Sequence, residues 1–186
     1  EQFLALVQRE TEHAKAGRKA CIMIKCNSLE DFQLIHALYS ASLAGVQVTL
    51  IIRGFCCLRP GVPNLSENIR VISIIGRFLE HSRIFFFQNG QEDQLKGDFF
   101  IGSADWMTRN MQNRVEVITP IDEQAHRERL LDIFRTHLQD RRLSWVMNPT
   151  GTYERCLPRD GEPESPSHDL LAQTARIRSM IPRENE

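Results

Sequence analysis

The densest run of chemically capable side chains is Glu80-His81-Ser82-Arg83, which leads straight into the apolar stretch RIFFFQ and is answered downstream by Gly102-Ser103-Ala104-Asp105. An imidazole works as general acid, base or nucleophile near neutral pH, and guanidinium and hydroxyl donors stabilise charge spread over phosphoryl oxygens. If residues 83–88 and 98–103 pair antiparallel, His81, Arg83 and Ser103 meet at one sheet edge, a constellation suited to phosphoryl transfer. Arginine is concentrated in the same region. Arg53, Arg59, Arg70, Arg77 and Arg83 are opposed between positions 53 and 83 only by Glu67 and Glu80, so five against two leaves a local charge of +3 in a chain of formal net charge -1. Over the whole chain 19 Arg stand against 4 Lys, and the planar guanidinium fork grips phosphate or carboxylate through paired hydrogen bonds. Arg59 and Arg70 are read as solvating a loop, whereas Arg77 and Arg83 bracket His81. Lys25 and Asn27 join the candidates because they close the first expected strand, where open α/β sheets bind ligands. Trp106, Met107 and Arg109 follow the GSAD turn, where an aromatic is more often core than cover for a ligand. Glu116 is expected to pair with one of the arginines. His13, His36, His126, His137 and His168 are assigned to surface or packing.

The elements that position these residues follow from periodicity. A helix over 1–16 ends at Gly17, a strand covers 20–25, a helix spans 30–44 after Asn27-Ser28, and a strand spans 46–52 after Gly45. This strand, helix, strand unit requires parallel neighbours joined by a right-handed crossover. Pro60, Gly61, Pro63 and Asn64 mark a long loop, followed by strands at 69–75, 83–88 and 98–102 and a further one at 115–118. Asn89-Gly90 signals a hairpin turn, although the connection is longer than a tight one. Residues 122–139 form an amphipathic helix with Leu130, Leu131, Ile133, Phe134 and Leu138 inward and Arg127, Glu128, Arg135 and Asp140 outward. A short segment, 143–147, follows. The expected architecture is α/β, a mixed sheet covered by the helices 1–16, 30–44 and 122–139, as one domain over 1–158. Residues 159–186 read as a polar linker and a short helix around 168–180.

Composition excludes several classes. With 41% hydrophobic and 25% charged residues the chain is neither disordered throughout nor fibrous. No apolar run approaches the ~20 residues a membrane span needs, and no basic-then-apolar leader opens the chain. A start at Glu1 reads as a piece of a longer protein. Cys21, Cys26, Cys56, Cys57 and Cys156 show no metal-ligand spacing and no favourable pair, so reduced thiols in the cytoplasm are expected.

The His81 and Gly102-Ser103-Ala104-Asp105 segments resemble the half-site of the phospholipase D superfamily, His-x-Lys followed by Gly-Ser-x-Asn. Arg83 stands where that pattern has Lys, and Asp105 where it has Asn. Both departures agree with a narrower match. KCNSLEDFQLIHALYSASLAGVQVTLIIRG, NIRVISIIGRFLEHSRIFFF, GSADWMTRN, RVEVITPI and GTYERCLP resemble, in order and spacing, the C-terminal catalytic domain of bacterial polyphosphate kinases, over roughly residues 3–158. The resemblance implies a phospholipase D-like mixed sheet flanked by helices. It implies reversible transfer of the terminal phosphate of ATP to inorganic polyphosphate. Arg53 and His81 match ATP-site positions, with His81 catalytic, and Arg83, Arg77, Ser103, Asn27 and Lys25 are the further phosphate-binding candidates. The phosphorylated histidine and the arginine pair linked to magnesium would lie in a preceding catalytic domain, leaving no metal site in this fragment and little catalysis from it alone. ATP or ADP with Mg, inorganic polyphosphate, that preceding domain and further copies of the chain are the implied partners, with no nucleic acid among them. Family members are cytoplasmic, some peripheral on the inner membrane. Two other readings stay open on the residues alone: a phosphodiesterase or nuclease pairing two copies of His81 across a dimer, and a non-catalytic polyanion-binding module.

Overall fold

The computed structural model describes residues 2–180. β1 (Cys21–Cys26), β2 (Gln47–Ile52) and β3 (Ile69–Ile74) are parallel neighbours, with α2 (Phe32–Leu43) as the crossover between the first two. The strands are apolar at nearly every position because both faces are covered, the usual state of parallel strands. Asp31 caps α2 by accepting the Leu34 N–H at 3.0 Å, and Gly45 ends the unit at φ +95°, a left-handed conformation that glycine takes without strain.

The chain then reverses direction. β4 (Arg83–Phe87) lies antiparallel to β1 on its free side, pairing Lys25 with Ile84, and β5 (Asp98–Gly102) lies antiparallel to β4, pairing Arg83 with Gly102. The connection opens at Asn89 and Gly90, both at positive φ, and continues through a 3₁₀ turn at Gln94–Lys96, which accounts for its length. β6 (Ile118–Pro120), β7 (Ser144–Met147) and β8 (Tyr153–Arg155) complete an eight-stranded sheet in the order β6-β5-β4-β1-β2-β3-β7-β8. The strand expected at 115–118 therefore begins three residues later. Val115 is fully exposed and Val117 largely so, because this stretch leaves the sheet surface to reach β6.

Helices cover both faces. α1 (Gln2–Lys15) and α2 pack Phe3, Val7, Leu34 and Leu38 against Ile22, Ile24, Leu50 and Phe85. α4 (Gln124–Leu138) packs Leu131 and Phe134 against Met23, Ile51, Ile72, Phe86 and Phe99. α3 (Thr108–Gln112) is a single short turn after β5, and α5 (Ser167–Met180) rests on α4. The mixed sheet flanked by helices is as expected.

Asp140 departs from expectation. Helical periodicity placed it on the outer face, but α4 ends at Leu138 and the backbone turns, burying Asp140 completely. Its Oδ1 accepts the N–H groups of Arg142, Leu143 and Ser144, and its Oδ2 accepts that of Ser167 at 2.7 Å. These bonds tie the start of α5 to the end of α4.

Candidate active site

Because β4 alone runs against β1, β2 and β5, the ends of those three strands and the start of β4 share one edge. A continuous polar chain crosses that edge. Arg53, just past β2, donates from Nε to Asn27 Oδ1 at 2.6 Å. Asn27, just past β1, donates to Asp105 from its backbone N–H at 2.7 Å and from Nδ2 at 2.8 Å. Asp105 also accepts from Arg83 through Nε at 3.2 Å and Nη2 at 3.0 Å, a bidentate ion pair with both side chains largely buried. Burial by itself would raise the Asp105 carboxyl, but the bonds from Arg83 and Asn27 outweigh it and hold the group below its ordinary value.

Arg83 in turn supports His81. Its Nη1 donates to the His81 carbonyl at 3.1 Å, and Nη1 and Nη2 each lie 3.4 Å from a different ring nitrogen. A neutral imidazole has only one acceptor nitrogen, so this paired approach lays the guanidinium along the ring rather than forming two hydrogen bonds. The ring is exposed at the edge. Arg83 thus spends its donors on Asp105 and on the His81 backbone. Arg53 differs: its two terminal amino groups have no hydrogen-bonded partner among the described residues. A backbone approach beneath it requires a glycine, since a Cβ at Gly54 would fall 2.7 Å from the Asn27 carbonyl oxygen.

The other candidates lie elsewhere. Lys25 points to the α4 face, where its buried ammonium is taken up by Ser82 Oγ at 2.9 Å, the Ser82 carbonyl at 3.1 Å and Glu80 Oε2 at 3.1 Å. Burial lowers its pKa, with Glu80 opposing. Ser103 Oγ donates to Glu116 Oε2 and accepts the Val117 N–H, so Glu116 pairs with Ser103 and Asn110 and, among the described residues, with no arginine. Arg77 sits over the Phe78 ring, 5.3 Å from its centre. Trp106 is fully buried against Phe3 and Phe85 and is core. None of the five cysteines is disulfide-bonded. Among the described residues no group of three or more His, Cys, Asp or Glu side chains is arranged to hold a metal ion, and no helix is long and apolar enough to cross a membrane.

One cluster has no counterpart in the expectations. Glu80 is approached by Lys25, by His137 Nε2 at 3.4 Å and by His168 Nε2 at 3.3 Å, both rings being buried. The His168 Nε2–H is not well aligned, and His137 gives its Nδ1–H to the Ile133 carbonyl at 3.0 Å, so these are close electrostatic contacts rather than good hydrogen bonds. His137, assigned only to surface or packing, sits in the interior facing a carboxylate, a role its sequence context does not signal.

Contact with His137, followed by the charge of Lys25, draws the Glu80 carboxyl down from 4.5 to about 2 against the opposing effect of burial. A carboxyl depressed in the folded state stabilises it above the unfolded value, and that stability is lost as pH falls from about 4.5 toward 2. Glu80→Gln is therefore expected to lower the unfolding free energy read from urea titration by up to about 3 kcal/mol at pH 6, a loss that shrinks across this window. Parallel wild-type and variant curves from pH 6 to pH 2.5 would show that Glu80 carries no such coupling.

The family model for "Polyphosphate kinase C-terminal domain 2" matches residues 1–167. A polyphosphate kinase of Thermosynechococcus vestitus is 51% identical over 171 residues, covering 92% of this chain and 23% of that protein. One of Pseudomonas aeruginosa is 44% identical over 174 residues, covering 93% and 25%. The crystal structure of polyphosphate kinase from Porphyromonas gingivalis superposes with a TM-score of 0.86 at 36% identity, over 94% of this chain and 26% of that one. NucT from Helicobacter pylori shares the fold alone, with a TM-score of 0.50 at 15% identity over 73% of this chain and 88% of its own. The chain thus spans about a quarter of the polyphosphate kinases it matches. An edge that joins Arg53, Asn27, Asp105, Arg83 and His81, on a sheet that superposes on a polyphosphate kinase, belongs to a chain of the polyphosphate kinase C-terminal domain family.

Proposed function

We propose that this chain supplies the nucleotide-phosphate half of a polyphosphate kinase, which reversibly moves the terminal phosphate of ATP onto inorganic polyphosphate. The observation that carries the reading is the posture of Arg53. Its Nε is fixed by Asn27 while both terminal amino groups stay open, the arrangement of a guanidinium set to grip phosphate oxygens. His81, exposed on the same edge and steadied by Arg83, gives or takes a proton at the oxygen that bridges donor and acceptor phosphates. Arg83 and Asp105 act as the frame that orients these two. Lys25 and Ser103 spend their polar atoms within the chain, on Ser82 and Glu80 and on Glu116, and Arg77 lies over the Phe78 ring, so these three take lesser parts in holding phosphate.

The covalent phosphohistidine belongs, on this reading, to a preceding catalytic domain of the same chain. Magnesium arrives with the nucleotide and is held mainly there on this reading; among the described residues no group of three or more His, Cys, Asp or Glu side chains is arranged to hold it, and no step here runs through the metal. On the same reading residues up to 158 form the domain, and the linker and helix assigned to 159–186 reach Met180, residues 1 and 181–186 lying outside the described ones. A cytoplasmic setting, peripheral association with the inner membrane and assembly into homo-oligomers belong to the same proposal.

Calorimetric titration of Mg-ATP tests it. Arg53→Ala is expected to weaken binding by about 1.5–3 kcal/mol, roughly tenfold to 150-fold, the size of a lost charge-assisted bond. An affinity indifferent to that substitution removes Arg53 from the site.

A further inference from the structure

Glu80 and His81 are consecutive, so whatever immobilises the first also fixes the backbone that presents the second. The segment 76–82 joins β3 to β4 and has no regular structure of its own. Its contacts with β1 and α4 come through Lys25 and His137, but it is also held by the start of α5. His168 Nδ1 accepts the Phe78 backbone N–H at 3.2 Å. The ring proton of a neutral His168 is therefore on Nε2, which faces Glu80 Oε1 at 3.3 Å. The ring also packs on Phe78, with centroids 5.6 Å apart. It lies over Gly76, where an added Cβ would come within 2.8 Å of Nδ1. One side chain thus touches the segment at three alternate positions, 76, 78 and 80. It is only 2% exposed, and the Ser167 N–H beside it is anchored on Asp140.

We propose that His168 is a positioning residue for His81: through Phe78 and Glu80 the C-terminal helix holds the 76–82 segment in the conformation that aims His81 along the Arg53–Asn27–Asp105–Arg83 edge. The link to His81 as a transfer residue rests on the function proposed above, while the ordering of the segment is measured independently of it. α5 is then a working part of the site and not an appendage to the domain.

The test combines hydrogen exchange on peptides covering 76–82, histidine ¹⁵N spectra and Mg-ATP titration of the 186-residue chain, with His168→Ala, His168→Gln and Gly76→Ala. Gly76→Ala removes no polar group; its added Cβ would displace the His168 ring and also press on Leu143 Cδ1 at 2.8 Å, so displacement of the ring is read from the nitrogen spectra themselves. In wild type His168 should be a pure Nε2–H tautomer, and Gly76→Ala should convert it to the tautomer mixture of a solvated ring. His168→Ala and Gly76→Ala should both speed exchange in 76–82 by about tenfold or more while β1–β3 stay protected. Both should weaken Mg-ATP by about threefold to tenfold, the worth of one net hydrogen bond, and His168→Gln, which retains a donor and an acceptor, should restore part of each loss. Unchanged exchange in 76–82 in Gly76→Ala despite a displaced ring overturns the proposal, including the case in which His168→Ala merely unfolds the chain. Faster exchange with unaltered nucleotide affinity overturns it as well. A wild-type chain that binds no Mg-ATP sinks the phosphate-site reading by itself, and the exchange and nitrogen spectra then decide whether His168 orders the segment.

Discussion

Asp105→Ala is expected to destabilise the fold by about 3 kcal/mol, read as a lowered urea midpoint with little change in the slope of the transition. Asp105 takes four donors from two residues, the backbone and side-chain N–H groups of Asn27 and two nitrogens of Arg83. Removing it strands a guanidinium that is only 13% exposed together with a buried peptide N–H. Breaking a buried pair by deleting one partner costs about 3–5 kcal/mol, and the partial exposure of Arg83 puts this site at the lower end. Asp105→Asn should lie between variant and wild type, because an amide keeps the shape but offers one acceptor oxygen in place of two. A loss below about 0.5 kcal/mol, the level of an ordinary surface change, would mean that water replaces the carboxylate without difficulty and that the edge is not held by this pair.

His81→Ala is expected to cut phosphate transfer in a complete polyphosphate kinase carrying this domain by about 10²–10⁴-fold, the usual contribution of a positioned general acid or base. Stability should change little, since the ring is exposed and, among the described residues, its nitrogens are approached within hydrogen-bond distance by Arg83 alone. Mg-ATP affinity should change far less than the rate, in contrast to Arg53→Ala, where the loss falls on binding. The two variants thus separate grip from proton transfer, and a His81→Ala enzyme with a wild-type turnover would take His81 out of the reaction.

Much of this was legible because the signals were local. The β1–α2–β2 unit follows from its apolar runs and from Gly45, and the pairing of β4 with β5 follows from theirs, which brings His81, Arg83 and Ser103 to one edge; the part Asp105 plays there is not signalled by the sequence. Asn27 was picked out by its place after β1, and it is the centre of the polar chain. What escaped were long-range contacts with no periodic signature. Asp140 was assigned by extending a helical period past Leu138, where the helix had already stopped. Ser103 lies at the right edge but turns to Glu116, and Lys25 lies on the α4 face, where long-range contacts with Ser82 and Glu80 take up its charge. Glu80 gathers partners from β1, α4 and α5, segments far apart in the chain, so no window of sequence contains the cluster.

The Arg83–Asp105 pair also bears on how this edge can change over generations. The related pattern of lysine and asparagine differs from it at both positions. Arg83→Lys alone leaves Asp105 facing a point charge where it had a fork, and Asp105→Asn alone leaves the guanidinium one acceptor oxygen where it had two, with an amide N–H₂ set against its other nitrogen. Each single step therefore passes through a less stable protein, while the double change arrives at a matched pair. The two residues, far apart in sequence and adjacent in space, should be inherited as one unit, and the two patterns should persist as separate lineages with few intermediates between them.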